Sequence, residues 1–353
     1  MKKILIGLLI VIVLVVGVCG FLFGSDLLNG GIKEGTVAFS VPSGAGTLLI
    51  ASDLEKEGAI DHPKAFSLYA FSKGYDEKWV SGTFTLEKGM GYKELCVLLT
   101  TPVPSGKKVV IPEGKQVRQM AKILENAGIC PAADFLAAAG ENTYDYPFLK
   151  GIDHENPLEG YLYPDTYYFE EGTEPDVIIN EMLENFGKKV YQQKYIDRAE
   201  ELGYTFDEMI ILASIVESEA TTKEDRENVA GVFFNRLNNP AYTKLQSCVT
   251  VEYAMGVKKS IISKADTEFD SPYNTYMYPG LPVGPICCPG TESLEATLWY
   301  ADNSYYYFQS DETGKLHFAE TFEEHAAIQK DVQANWKGEV IEDYNDTVKN
   351  GEQ

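Results

Sequence analysis

The 353-residue chain is poor in the residues on which metal, phosphate and nucleic-acid chemistry depend. It has four histidines, none in an HExxH arrangement, and its six cysteines show no zinc-like spacing. No metal centre and no cofactor is therefore expected. Basic residues are scarce: 30 Lys and Arg stand against 53 Asp and Glu, for a net charge of -23. Without a basic stripe to meet phosphates, nucleic acid is excluded as a partner. No GxSxG elbow is present, so Ser-His-Asp chemistry has little support. There is no internal repeat.

What is present begins with a membrane signal. Lys2 and Lys3 precede an apolar run from Ile4 to Phe23, long enough to span a bilayer as a helix. The lysines before it put the N-terminus in the cytoplasm and the bulk of the chain outside. An uncleaved anchor is preferred to a cleaved signal peptide, because the run is long and no small-x-small site follows. The expected organisation is a cytoplasmic start and anchor at 1–24 and a linker at 25–35. A small α+β module follows at 36–103, then a larger, mostly helical α+β domain at 104–340 and a polar tail at 341–353. The module reads as strand Thr36–Val41, helices Thr47–Glu57 and His62–Ser72, strand Trp79–Leu86 and helix Gly91–Leu99.

Within the larger domain, Leu158–Phe169 carries five aromatic residues and reads either as a stiff, partly polar surface suited to sugar rings or as a surface loop pinned by buried tyrosines. Ser271–Gly290 contains five prolines and reads as a long ordered loop, the kind of segment that carries function. A hairpin at Tyr305–Ala319 and a helix ending near Trp336 close the domain.

The chemistry is expected in Leu212–Glu219. Thr205 and Glu208 form a capping box, and Met209–Val216 is nearly all apolar, so this helix is predicted to be buried on every side. It ends with Glu217. A carboxyl at the edge of an apolar environment tends to stay protonated, as a general acid must be. An exposed residue at a fraying helix end is the competing reading. Glu219, two residues on, points away from Glu217 on a helix. A hydrolase would need a second carboxylate, for which Asp165 and Asp270 are the candidates.

Together these stretches resemble a known family. VIPEG at Val110–Gly114, EGYLYPDTY at Glu159–Tyr167, LASIVESE at Leu212–Glu219 and VAGVFFNRL at Val229–Leu237 occur in the order found in the endolytic murein transglycosylases, the YceG-like family. So do LQS at Leu245–Ser247, SPYNTY at Ser271–Tyr276, GLPVGPI at Gly280–Ile286 and Pro289-Gly290. The resemblance implies a single-pass membrane protein with its catalytic part outside the membrane and a LysM-like subdomain before that part. The implied activity is cleavage of peptidoglycan glycan strands between MurNAc and GlcNAc without water, leaving 1,6-anhydroMurNAc ends. The family's catalytic Glu falls on Glu217. A single group acting as acid and then base suits a chain with no obvious carboxylate pair. Peptidoglycan synthases and elongation or division proteins are the implied partners. A non-catalytic wall-binding scaffold and a hydrolase of the same bond are the alternatives.

Asn235, Gln246, Tyr273, Asn274 and Thr275 are the candidates for holding sugar hydroxyl and N-acetyl groups, each weighed against a structural role. Arg236 reads as half of a structural ion pair. Three positions depart from the family pattern: Cys248, Val249 and Cys288 stand where Asp, Pro and Asn are usual. Cys248 is accordingly expected to approach Cys287 or Cys288 and to form an extracytoplasmic disulfide.

Overall fold

The computed structural model describes residues 35–343 apart from 88, 103–105, 142, 260–261 and 336–339. The anchor expected at 4–23 lies outside the described residues, as do most of the linker and most of the polar tail. Among the described residues no helix is long and apolar enough to cross a membrane. The chain divides into two compact units, Met1–Ser105 and Gly106–Gln353.

The first unit runs β1 (Thr36–Val41), α1 (Thr47–Lys56), α2 (Pro63–Lys73), β2 (Gly82–Glu87) and α3 (Tyr92–Thr100). The strands pair antiparallel, with Thr36 opposite Glu87 and Val41 opposite Gly82. Alternate residues turn inward as strand geometry requires, so Phe39, Val41, Phe84 and Leu86 join Ile50, Leu54, Phe66 and Leu95 in one core. The second strand starts at Gly82 rather than at Trp79. Trp79 instead donates its indole N–H to Thr47 Oγ1 at 2.9 Å and stacks on Phe66, which holds it out of the ladder.

The second unit opens with β3 (Lys107–Val110), α4 (Val117–Asn126), α5 (Ala132–Gly140), β4 (Thr166–Phe169), α6 (Pro175–Lys189) and α7 (Gln193–Leu202). It continues with α8 (Phe206–Glu219), α9 (Lys223–Leu237), α10 (Cys248–Met255), β5 (Val257–Lys259) and α11 (Lys264–Thr267). After a long loop come α12 (Thr291–Leu298), β6 (Tyr307–Ser310), β7 (Leu316–Ala319), α13 (Phe322–Asn335) and β8 (Val340–Asp343). The strands make antiparallel pairs, β3 with β4, β6 with β7 and β5 with β8. The last pair brings residues expected in the polar tail back against β5.

Helix α8 is the centre of this unit. Glu208 N donates to Thr205 Oγ1 and Thr205 N donates back to Glu208 Oε2, so the helix start is fixed by sequence-local bonds. Met209 to Val216 are all buried. Each of its Met, Ile, Leu and Val side chains contributes about 1.5–3 kcal/mol by leaving water, so the position of this helix is strongly determined. Helices α7, α9, α10 and α12 pack around it.

In the tyrosine-rich stretch the reading with buried tyrosines holds and the open sugar-facing surface does not. Tyr161, Leu162, Tyr163, Tyr167 and Phe169 are buried, and its end is strand β4 rather than an open aromatic surface. Pairing with β3 alternates the ring directions, and of the five aromatics at 158–169, four are buried and Tyr168 is exposed. Gly160 serves this packing directly: it sits at φ +89°, and a Cβ there would lie 2.6 Å from Pro285 of the long loop.

Candidate active site

Glu217 lies in the last turn of α8 with its side chain 7% exposed. Its Oε2 accepts from the backbone N–H of Gly290 at 3.1 Å and from Ser293 Oγ at 2.7 Å. Gly290 is the N-cap of α12 and Ser293 belongs to its first turn, so the carboxylate sits where the helix dipole favours negative charge. Arg226 Nη2, from α9, stands 3.5 Å from Glu217 Oε1, with the Arg226 side chain 9% exposed. Thr222 caps α9 by accepting from Asp225 N, which fixes the turn that carries Arg226. The surroundings of Glu217 are thus a cradle of donors and a cation, not the apolar edge expected from the helix pattern. The helix is apolar, but its end meets the starts of two other helices.

Two further carboxyl groups reach this place. Arg226 Nη1 is bonded to Glu292 Oε2 at 2.8 Å. Glu113, in the VIPEG turn after β3, lies against Gly290, where a Cβ would collide with its carboxyl group. Burial pushes the Glu113 carboxyl above its ordinary range, Glu217 adds to the shift, and Arg226 opposes it. The turn is held in register because Gly114 N donates to Cys288 O and Cys288 N to Lys115 O.

These motifs place a family on the site. A family model described as the YceG-like family matches residues 39–331. The chain belongs to the YceG-like family. This YceG-like chain is 33% identical over 323 residues to a protein of Bacillus subtilis (strain 168) named endolytic murein transglycosylase, covering 86% of this chain and 88% of that one. A protein of the same name from Streptococcus pneumoniae serotype 2 (strain D39 / NCTC 7466) is 32% identical, over 82% of this chain and 57% of that one. A crystal structure of a yceG-like protein from Listeria monocytogenes superposes with a TM-score of 0.57 at 32% identity, covering 84% of this chain and all of that one.

The other site candidates of the YceG-like chain are brought together only in part. Tyr273, Asn274 and Thr275 are buried at 3%, 0% and 1% exposure. Asn274 Nδ2 donates to Thr267 O and Phe269 O, and Thr275 Oγ1 accepts from Ser247 N and contacts Thr250 Oγ1. Asn274 thus ties the start of the long loop to the end of α11, and Thr275 ties it to α10 and the turn before it. Gln246 is exposed, at φ +56°, in the left-handed region that a non-glycine residue adopts only when its surroundings force it. Those surroundings are visible: its N–H donates to Thr275 O and its Oε1 accepts from Arg236 Nη1. Asn235 does not reach this group. Its Nδ2 donates to Asn303 O and Tyr305 O, both at 2.9 Å, which fastens α9 to the approach of β6.

Arg236 is structural, but its partners are not the expected carboxylate. It donates to Tyr306 O and Leu245 O and lies over the Tyr242 and Tyr307 rings. Asp165 is bonded to Lys189 and Asn185. Burial raises its proton affinity, and these bonds outweigh burial and hold the carboxyl below its ordinary range. Asp270 accepts from Tyr278 OH. Neither aspartate contributes to the Glu217 cradle; Glu113 and Glu292 do the approaching that sequence reasoning assigned to them. The missed signal was VIPEG, which was used only as a family motif and whose Glu113 was not among the site candidates.

The expected disulfide is not formed. Cys248, Cys287 and Cys288 are free thiols, and each has another partner: Tyr276 OH, the Ser214 carbonyl and the Glu159 carboxylate in turn. Cys288 also leads to a second region of interest. Glu159 accepts from Val117 N and Tyr253 OH and lines a cavity of about 300 Å³ together with Arg118, Glu155, Asn156 and Tyr273.

Proposed function

We propose that the chain is a lytic transglycosylase of peptidoglycan, cutting glycan strands between MurNAc and GlcNAc and leaving 1,6-anhydroMurNAc ends. The observation that carries this reading is the cradle around Glu217, built on the Leu212–Glu219 motif in a chain whose relatives are named endolytic murein transglycosylases. Glu217 donates a proton to the glycosidic oxygen as its bond to C1 breaks. The carboxylate so formed takes the proton of the MurNAc C6 hydroxyl, which attacks C1 and closes the anhydro ring. One group suffices because the second transfer restores its proton. The donors on Oε2 leave Oε1 as the atom that faces the reaction, with Arg226 steadying the charge that appears there.

Within the same proposal, Gln246 holds sugar from its exposed position, while Tyr273, Asn274 and Thr275 shape the loop beneath it. Residues 4–23 anchor the chain in the membrane with the catalytic part outside, and the first unit is a LysM-like module that holds glycan. Synthases and elongation or division proteins are the partners implied by the resemblance.

The test is incubation of the full chain with uncrosslinked glycan strands and mass analysis of the products, beside a Glu217→Gln variant. Anhydro ends from the wild type alone are expected. Hydrated reducing ends assign a hydrolase instead, and binding without cleavage assigns a scaffold.

A further inference from the structure

We propose that the exposed face formed by Phe269, Met277 and Tyr278 at the start of the long loop, with the Asp270 carboxylate at its edge, is a glycan platform that grips the strand away from the bond being cut. The inference rests on a glycan strand being the substrate and deepens that reading.

The aromatic surface expected at 158–169 is mostly buried, and large side chains face water here instead. Phe269, Met277 and Tyr278 are 41%, 37% and 44% exposed. An exposed apolar group marks a binding surface most strongly when the fold holds it still. The frame that holds it is Asn274, which is fully buried. Its Nδ2 donates to Thr267 O and Phe269 O, and its Oδ1 accepts from Tyr276 N. Its own carbonyl accepts from Met277 N and Tyr278 N. One residue thus fixes both sides of the turn, and the rings are ordered before a ligand arrives.

The chemistry of the face selects a sugar. A sugar ring has an apolar C–H face and a rim of hydroxyl groups. Tyr278 offers an aromatic face, and its O–H donates to Asp270 Oδ1 at 2.7 Å, which sets a carboxylate beside the ring. That carboxylate accepts from hydroxyl groups at the sugar's rim. A dry protein interface would instead have to desolvate the charge.

The position suits a strand that runs on from Glu217. Thr275 lies within the same turn, and its carbonyl accepts from Gln246 N. Ser247, the next residue, donates to Glu219 Oε1 at the end of α8, two residues from Glu217. The other end of the long loop, Gly290 N, donates to Glu217 Oε2. One loop therefore touches the carboxyl read as acid and carries the platform. A polymer gripped at both places is cut within its length and not only at its tip.

The experiment compares the full chain with Phe269→Ala, Tyr278→Ala and Tyr278→Phe on uncrosslinked glycan strands of increasing length. KM and kcat are measured on the active chain, and strand affinity is measured with Glu217→Gln added, so that strands are not cut. Each alanine is expected to weaken binding of long strands and raise KM about tenfold, with kcat changed less than about twofold. Strands too short to reach the platform show no difference, whereas a general structural fault lowers activity at every length. Tyr278→Phe keeps the ring and binds long strands within about threefold of the wild type. Unchanged affinity for long strands in folded Phe269→Ala and Tyr278→Ala overturns the proposal and gives the face to another occupant. Strands that the wild type binds but does not cut, with binding weakened by the alanines, remove the transglycosylase reading and leave the platform standing, so the two failures are distinguishable.

Discussion

Glu217 and Glu219 stand two residues apart at the end of α8, and the chain treats them in opposite ways. Glu217 meets two donors, a guanidinium and a helix N-terminus. Glu219 accepts one bond, from Ser247 Oγ at 2.6 Å, and burial pushes its carboxyl up to about 7. Glu159 resembles Glu219: burial pushes it up to about 7 although Val117 N–H and Arg118 oppose the shift. A strongly raised proton affinity therefore marks two carboxyls, the buried Glu159 and the partly buried Glu219, that have few donors to offset desolvation. The carboxyl read as catalytic is instead the one the fold surrounds with donors. Desolvation of a group is a packing fact; chemistry needs the group to be buried, oriented and still within reach of substrate.

The comparison is broken or sharpened most sharply at Glu217 itself. Glu217→Gln should lower the rate of anhydro-end formation by about a thousandfold or more while the folded structure persists. A variant that keeps even a tenth of the wild-type rate would make Glu217 another structural carboxylate. Gly290→Ala comes next. Its new methyl displaces the Glu113 carboxyl and is expected to lower stability by about 1–3 kcal/mol and kcat about tenfold. Unchanged melting and turnover would show that the close approach is not used.

Glu159 and Glu219 give a pH signature. Their folded proton affinity lies above the ordinary carboxylate range, so they impose no penalty below about pH 4.5, and stability falls as pH rises through about 7. Glu219→Gln keeps an acceptor for Ser247 and should stabilise the chain by about 1–3 kcal/mol at pH 8, with little effect at pH 4.5. Denaturant melts at the two pH values check this, and equal effects at both would refute the sign.

Asn235→Ala removes the amide that joins α9 to the carbonyls of Asn303 and Tyr305 and should destabilise by about 1–2 kcal/mol without altering KM. A raised KM at unchanged stability would return Asn235 to the sugar site. Smallest of all, a reducing agent should not shift the melting temperature of the described part, because Cys248, Cys287 and Cys288 are separate thiols.

Several of these features were legible in order of residues. The α8 and α9 starts follow from Thr205, Glu208 and Thr222, since a capping bond joins residues three apart in sequence. The burial of Met209–Val216 follows from an apolar run with no polar stripe. The long loop was legible from its prolines. What failed were judgements about partners. The tyrosines of 159–169 look alike in sequence whether they face water or core, and only pairing of β3 with β4 sorts them. Asp165 and Asp270 were chosen as acids by type, and their bonds to Lys189 and Tyr278 depend on elements far along the chain. Asn235 lies within a family motif, but its acceptors are 68 and 70 residues away.

The sequence by itself determined the family, the helix that carries Glu217 and the ends of that helix, because caps, hydrophobic period and motif order are local properties. Only the tertiary structure decided which charges meet. Glu113, Glu217, Arg226 and Glu292 come from a turn and three helices spread over 180 positions, since 292 − 113 + 1 = 180. Electrostatic environment depends on distances in space, and those are set by the packing of α8, α9 and α12 rather than by neighbours in the chain.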